Sequence, residues 1–334
     1  MRQRRRRRLL PLGVLILVGL GLIAWLASKG SSSSTSTPTT SPSASTTTTT
    51  VLAYMPPNIK PAITPALPGE GVWQATDTWS PAPPSVLTTT FRPDPQNTGI
   101  TAYATWMRTS TTVLGLYLGY EGPGETSLDR GPEMIPTSGR SGLLAAFNSG
   151  FYEKDSPEGF FTHSTLYFPM VQGNATVVRY ADGTTDIVSW QGGATPAANV
   201  LMARQNLQLL VDNGKVTAAA ANNGAFGVTL GGVPAVWRTG LGVDAHGNLM
   251  YVAAPDQTSQ SLAQILVDMG SVRGMQLDIN PEWPIFVTYG GPGAADPSLF
   301  VPNPNQVANR FLYSSTKDFF ALFLRQPGQT AQPW

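Results

Sequence analysis

Nineteen consecutive residues without a charge, LLPLGVLILVGLGLIAWLA from Leu9 to Ala27, divide the chain before any globular part is considered. At 1.5 Å per helical residue such a run crosses a hydrocarbon core of about 30 Å. Arg2 and Arg4 to Arg8 stand just before it. A basic cluster on that side stays in the cytoplasm, so the remainder of the chain is sent outward. A cleaved signal peptide begins in the same way, but it has a shorter apolar core and small residues at −3 and −1. Cleavage after Ala27 would put Trp25 at −3, which favours a retained anchor. The expected organisation is a cytoplasmic segment 1–8, a transmembrane signal-anchor 9–27, a Ser/Thr/Pro-rich linker 28–70, a domain 71–327 and a tail 328–334. The expected location is the cell membrane, single-pass, with the main domain extracytoplasmic.

The tether from Ser28 to Thr50 holds only Ser, Thr, Pro, Gly and Ala apart from Lys29. It offers nothing to anchor a core, so a disordered spacer with a reach on the order of 25 Å is expected. Composition narrows the chemistry beyond it. With no cysteine, disulfides, thiolate metal sites, lipoprotein anchors and thiol nucleophiles are excluded. The two histidines, His163 and His246, lie in no metal-ligand spacing and read as structural or surface residues, so no resident metal or cofactor is expected. A divalent cation between Asp278 and Glu282 has no loop spacing in its favour. Past Lys29, 14 basic residues face 20 acidic ones, a net of −6. Nucleic acid is therefore a poor partner, because its binding rests on Lys and Arg contacts to phosphate.

From residue 100 onward, short β-branched or alternating runs are punctuated by Gly, Asn, Asp and Pro. The pattern predicts strands over Ile100–Met107, Thr112–Leu118, Leu143–Phe147, Ala175–Tyr180 and Thr185–Trp190. It continues over Leu207–Val211, Leu249–Ala253, Gly274–Ile279, Ile285–Tyr289 and Phe311–Ser315, with Phe319–Leu324 as a further buried strand. Asp182-Gly183 and Asn213-Gly214 are hairpin signals. One helix is clear, Ser259–Met269, with Leu262, Ile265, Leu266 and Met269 on one face, Ser259 or Ser261 as N-cap and Gly270 as its stop. The expected class is α+β, a strand-rich single domain with one prominent helix.

Four polar clusters could carry chemistry. Arg92-Pro93-Asp94-Pro95 is a stiff charged turn, a site or simply a turn held by an ion pair. Asn148, in Phe147-Asn148-Ser149-Gly150-Phe151, ends an apolar strand, where a buried amide either caps a turn or faces a ligand. Arg238-Thr239-Gly240-Leu241-Gly242 sets two glycines beside a cation, although Gly-x-Gly alone says little. Leu277-Asp278-Ile279-Asn280-Pro281-Glu282-Trp283 ends a buried strand in two carboxylates and an amide. Paired carboxylates are what glycosidic cleavage requires, though such residues also serve as turn chemistry.

Taken in order, Leu144 to Phe151, Arg204 to Gly214, Arg238 to Val243, then a helix and Leu277-Asp278, the motifs resemble the phosphodiester glycosidase domain family, above all an actinobacterial exported branch with RPDP and LDINPEW segments. The resemblance implies a hydrolase of sugar phosphodiesters, with Asp278 as catalytic carboxylate, Arg238 as anion clamp and Asn148 bonding sugar or phosphate. Glu282 is added from chemistry alone as the second carboxylate. Thr239, Asn280, Arg92 and Asn206 complete the candidate substrate-binding set. One departure stands out: the better-known members of the family follow this Asp with a Gly-Gly-Gly-Ser type turn whose N–H groups could cradle phosphate. Here Ile279-Asn280-Pro281-Glu282 follows, and Pro281 has no N–H. Either Arg238 and Asn280 take over the cradle, or a different bond is cut, or catalysis is lost. The expected function is a membrane-anchored extracytoplasmic hydrolase of a sugar phosphodiester or related glycosidic linkage in envelope glycans. The alternative is a non-catalytic glycan-binding protein on the same fold, with Trp190, Trp237 or Trp283 stacking on sugars.

Overall fold

The computed structural model describes residues 53–76, 79–123 and 128–326. Segment 1–8, the anchor 9–27, the tether as far as residue 52 and the tail 328–334 lie outside the described residues. Among the described residues no helix is long and apolar enough to cross a membrane.

The elements begin with β1 (Gln74–Ala75), β2 (Val86–Phe91), β3 (Ala102–Met107), β4 (Thr112–Tyr117) and β5 (Leu143–Asn148). Then come β6 (Phe160–Thr162), β7 (Thr165–Phe168), β8 (Ala175–Tyr180), β9 (Thr185–Ser189) and β10 (Val200–Gln205). β11 (Leu209–Asp212), β12 (Lys215–Val216), β13 (Val236–Asp244) and β14 (Leu249–Gln257) lead to α1 (Ser259–Asp268). The chain closes with β15 (Ser271–Ile279), β16 (Phe286–Gly291), β17 (Ala295–Leu299) and β18 (Phe319–Leu324). Strands and sheets dominate, and α1 is the one α-helix among the described residues. The α+β expectation is therefore corrected: the described residues are mainly β, built into three sheets.

An eight-stranded sheet, β1-β2-β3-β14-β13-β15-β11-β12, is central. Two five-stranded sheets, β7-β6-β10-β8-β9 and β17-β16-β5-β18-β4, share one core with it. That core gathers Leu241, Tyr251 and Leu277 from the first sheet, Val177 and Met202 from the second, and Phe147, Phe286 and Phe320 from the third. On the other face of the central sheet, Leu262 and Leu266 of α1 pack against Val211, Met250 and Val252. Asp212 to Gly214 forms the β11–β12 hairpin, with Asn213 and Gly214 at φ 49° and 71° as a type I′ turn needs.

Three local outcomes differ from expectation. The N-cap of α1 is Thr258, whose hydroxyl accepts from the Ser261 N–H while Ser261 answers the Thr258 N–H, so the box starts one residue earlier. Phe311–Ser315 is not a strand; a 3₁₀ turn at Arg310–Leu312 places Phe311 in the core, and the strand there is β18. Val236–Asp244 is a nine-residue strand that is absent from the runs predicted above. The lack of a side chain at its two glycines serves packing: a Cβ at Gly240 would lie 3.2 Å from Leu266 Cδ1, and one at Gly242 would lie 2.1 Å from Ser271 Oγ. Residues ahead of the domain also pack on it, since the Ile59 N–H donates to Gly71 O at 2.9 Å and Ile59 is buried.

Candidate active site

Three chain segments, one from each sheet, converge where β15 ends. The Asp278 N–H donates to Ser149 O just past β5, at 3.0 Å. Asn206, just past β10, accepts from the Phe151 N–H at 3.1 Å and donates to Gln276 O at 3.0 Å. Gly150 is needed here, because a Cβ would come within 2.9 Å of the Asn206 amide. A second chain of bonds runs beneath. Tyr251 Oη donates to Asn148 Oδ1 at 2.9 Å, Asn148 Nδ2 donates to Thr239 Oγ1 at 2.9 Å, and Thr239 Oγ1 donates to Asp278 O at 2.7 Å. Asn148 spends its remaining capacity on Ser149 O and the Ile285 N–H. Asn148, Thr239 and Asn206 thus hold the end of β15: Thr239 bonds Asp278 O, Asn206 bonds the carbonyls of Gln276 and Leu277, and Asn148 positions Thr239.

Asp278 is 3% exposed and forms part of the floor of a cleft of about 820 Å³. Its Oδ2 meets Lys317 Nζ at 2.5 Å. Apart from Lys317, no hydrogen-bond donor among the described residues is found on this carboxylate. The Lys317 ammonium also lies 4.2 Å from the centre of the Tyr152 ring and 4.6 Å from that of Trp283, two rings that meet edge to face at 5.7 Å. Burial pushes the Asp278 carboxyl up to about 6, and the attraction of Lys317 opposes it. Burial likewise raises Tyr152. Asp318, the next residue along, is paired to Arg204 at 2.9 Å and borders a small recess behind Asp278 together with Arg310.

Other candidates stand elsewhere. Arg238 is fully buried, and its guanidinium donates to Gln257 O, Phe226 O, Gln276 Oε1 and Asn223 Oδ1, so it supports the β13–β15 core and does not line the cleft. Glu282 is exposed and does not line the cleft either. Arg92 grips Glu70 instead, with Nη2 2.8 Å from Oε2. Asn280 is a cleft residue, held at φ 72°, and its Oδ1 accepts from the Leu230 N–H at 3.0 Å, which ties the 228–230 loop to the cleft wall. Of the three tryptophans considered, Trp283 lines the cleft, Trp190 packs in the core outside the second sheet, and Trp237 stacks on Tyr103. Lys317, Tyr152 and Arg310 were missed. The sequence signal available for Lys317 was a lone Lys-Asp pair ahead of an apolar strand.

A second hollow, of about 550 Å³, is lined by Asp186, Asp244, His246, Arg273 and Arg325. Its charges are already occupied: Asp186 pairs with Arg273 at 2.6 Å, and Asp244 caps its own turn and accepts from Trp106 Nε1. His246 stacks on Tyr54 at 3.7 Å. Among the described residues no group of three His, Asp or Glu side chains could hold a metal ion.

No protein-family model matches the chain, and no curated protein matches it. Among solved structures it is similar to the catalytic domain of zebrafish N-acetylglucosamine-1-phosphodiester alpha-N-acetylglucosaminidase, auto-inhibited by its pro-peptide. That likeness has 16% identity and a TM-score of 0.47 over 76% of this chain and 88% of the other. It is also similar to a protein from Synechocystis at 12% identity, TM-score 0.39, over 72% of this chain and 62% of that one. A protein from Burkholderia pseudomallei described as exported gives 12% identity and a TM-score of 0.34 over 72% and 75%. These are distant likenesses of backbone path.

Proposed function

We propose that the chain is a hydrolase of envelope glycans that cleaves the bond between an anomeric carbon and a phosphodiester oxygen, with Leu9–Ala27 holding the domain at the outer face of the membrane. The observation that carries this reading is the cleft floor, where one buried carboxylate is met by a single ammonium beside two aromatic rings. With its carboxyl at about 6, Asp278 is ionised at neutral pH, the form that acts as nucleophile or base.

The leaving group decides between substrate classes. Ordinary glycosides need a second carboxyl group to protonate the departing oxygen. Among the described residues the other carboxylate lining the cleft is Asp155, exposed at the rim. A phosphate monoester has a second pKa of about 6 and departs without a proton. In the proposed reaction Asp278 takes a proton from water as the water oxygen bonds to the anomeric carbon, or Asp278 bonds there first and water then displaces it, the carbon–Asp278 bond breaking and the water proton passing to the released carboxylate. The carbon–oxygen bond to phosphate breaks, and its electron pair leaves with the phosphate. One carboxylate suffices for either course, so a phosphodiester fits this cleft better than a neutral glycoside. Phosphate recognition does not draw on an N–H cradle, because Pro281 interrupts that turn.

The test is the full-length chain with sugar 1-phosphodiesters and neutral glycosides, alongside Asp278→Asn. The expected result is reducing sugar from the diesters, reduced by about 10³-fold or more in a folded Asp278→Asn protein. Unchanged turnover in that variant removes Asp278 from the chemistry. Retention of a glycan by both proteins without cleavage would make this a binding protein.

A further inference from the structure

We propose that Lys317 is the positioning residue of this site: its ammonium, fixed between the Tyr152 and Trp283 rings, holds Asp278 as the charged carboxylate that faces the cleft. The proposal rests on the reading above for what Asp278 does. Three observations carry it.

The first is the way the lysine is held. Gly119 lies against its backbone so closely that a Cβ there would be 2.2 Å from Thr316 O and 2.5 Å from Lys317 Cα. On the same side the Tyr120 and Glu121 N–H groups donate to Ser315 O and Thr316 O at 2.9 and 3.1 Å. Ser315 Oγ donates to Lys317 O at 2.8 Å, so the segment before β18 is fixed and the side chain starts from one place.

The second is chemical choice. A lysine is a point charge, whereas an arginine fork takes both oxygens of a carboxylate. Arg92 does so to Glu70 in this same protein, through Nε to Oε1 and Nη2 to Oε2. Lys317 brings one ammonium to Asp278, with Nζ 2.5 Å from Oδ2, and a single point charge does not grip the carboxylate as a fork does.

The third is the absence of a substitute among the charged and titratable groups that face Asp278. Asp318 adjoins it in space, and Arg204 from β10 is spent on Asp318. Arg310 from the 3₁₀ turn donates to Gln306 Oε1 and Thr316 Oγ1. Tyr152, from the loop after β5, and Tyr251, from β14, are both pushed up by burial and are neutral. Lys317 is the cation in contact. Without it, Arg204 is the remaining attraction against burial and the repulsion of Asp318, and the balance moves toward the protonated form, which can serve neither as nucleophile nor as base.

The experiment compares wild type with Lys317→Gln, Lys317→Met and Lys317→Arg in the full-length chain. The dependence of kcat/KM on pH is followed with a cleaved diester, and the Asp278 carboxyl is titrated directly by its ¹³C resonance. In the Gln and Met variants the acidic limb and the carboxyl midpoint should both move up by about one unit or more, a roughly tenfold loss well below the limb that is recovered at alkaline pH. Lys317→Arg should keep the midpoint and lower kcat, because its fork grips both oxygens. A purely structural lysine would lower activity at every pH and leave the midpoint in place, which overturns the proposal. If wild type cleaves no diester, the functional reading falls while the carboxyl titration still decides the role of Lys317. If neither neutral variant folds, the wild-type Lys317 Nζ ¹⁵N resonance decides: it should shift through the Asp278 midpoint, and a flat response overturns the proposal.

Discussion

Glu70 and Asp278 are both buried carboxylates bound to a cation, yet their surroundings drive them in opposite directions. Glu70 receives the Arg92 fork and two backbone N–H groups, from Leu67 and Arg92, each at 2.8 Å. The bonds to the Arg92 side chain, with help from those amides, overcome burial and hold it at about 2. Asp278 receives one ammonium, so burial wins and it sits at about 6. Low surface exposure alone therefore does not sort a structural carboxylate from a reactive one; how deeply it is desolvated and how many donors are spent on it do so together. The Glu70 clamp closes the region around the RPDP turn and the segment before it. The under-bonded Asp278 lies where three sheets leave a cleft.

The largest expected effect on this contrast is the loss of turnover in Asp278→Asn, with Glu70→Gln leaving turnover intact. Loss of diester cleavage in Glu70→Gln would break the contrast. Next is Arg204→Met. It removes one partner of a buried ion pair, a change that costs about 3–5 kcal/mol, read by urea unfolding at pH 7. It also leaves Asp318 unneutralised beside Asp278, so the Asp278 midpoint should rise further. A rise in the midpoint without a loss of stability would show that the pair tunes the site more than it holds the fold.

Much of the architecture was legible because it was local. β3, β4, β5, β8, β9, β11, β14, β15 and β16 fall on the runs predicted from alternation and turn residues, and the Asp182-Gly183 and Asn213-Gly214 hairpins form where those residues demand them. β13 escaped because its glycines mark the approach of Leu266 and Ser271, contacts made through elements distant in the chain. The α+β class was an overreading of one strongly periodic helix against many short strands. At the site, Asp278 was visible as a charge ending an apolar strand, and Asn148 as an amide ending another. What each would touch was not visible. Asn148, Thr239 and Asn206 turn inward to hold the backbone of the strand end. Arg238 looked like an anion clamp because nothing local announces the four acceptors that surround it. Lys317 meets Asp278 only because β18 belongs to a different sheet from β15.

The smallest expected effect is the one most specific to Glu70. A carboxylate held at about 2, below its ordinary 4.5, contributes stability that is present above the ordinary value and is lost as pH falls through about 2. Glu70→Gln should thus lower Tm at pH 7, lower it less at pH 3, and have no effect below pH 2. The loss should also be local. Arg92 Nη2 donates to Pro65 O as well as to Glu70, and the Gly71 N–H donates to Thr90 O at 2.9 Å, so the clamp ties the segment before β1 to the end of β2. Hydrogen exchange at the Ile59 and Gly71 amides should therefore speed up in Glu70→Gln at pH 7 while the Asp278 N–H, bonded to Ser149 O, exchanges as in wild type. Faster exchange at Asp278 as well would mean that the two carboxylates share one cooperative unit, and that the opposite shifts in their ionisation arise within a single coupled network.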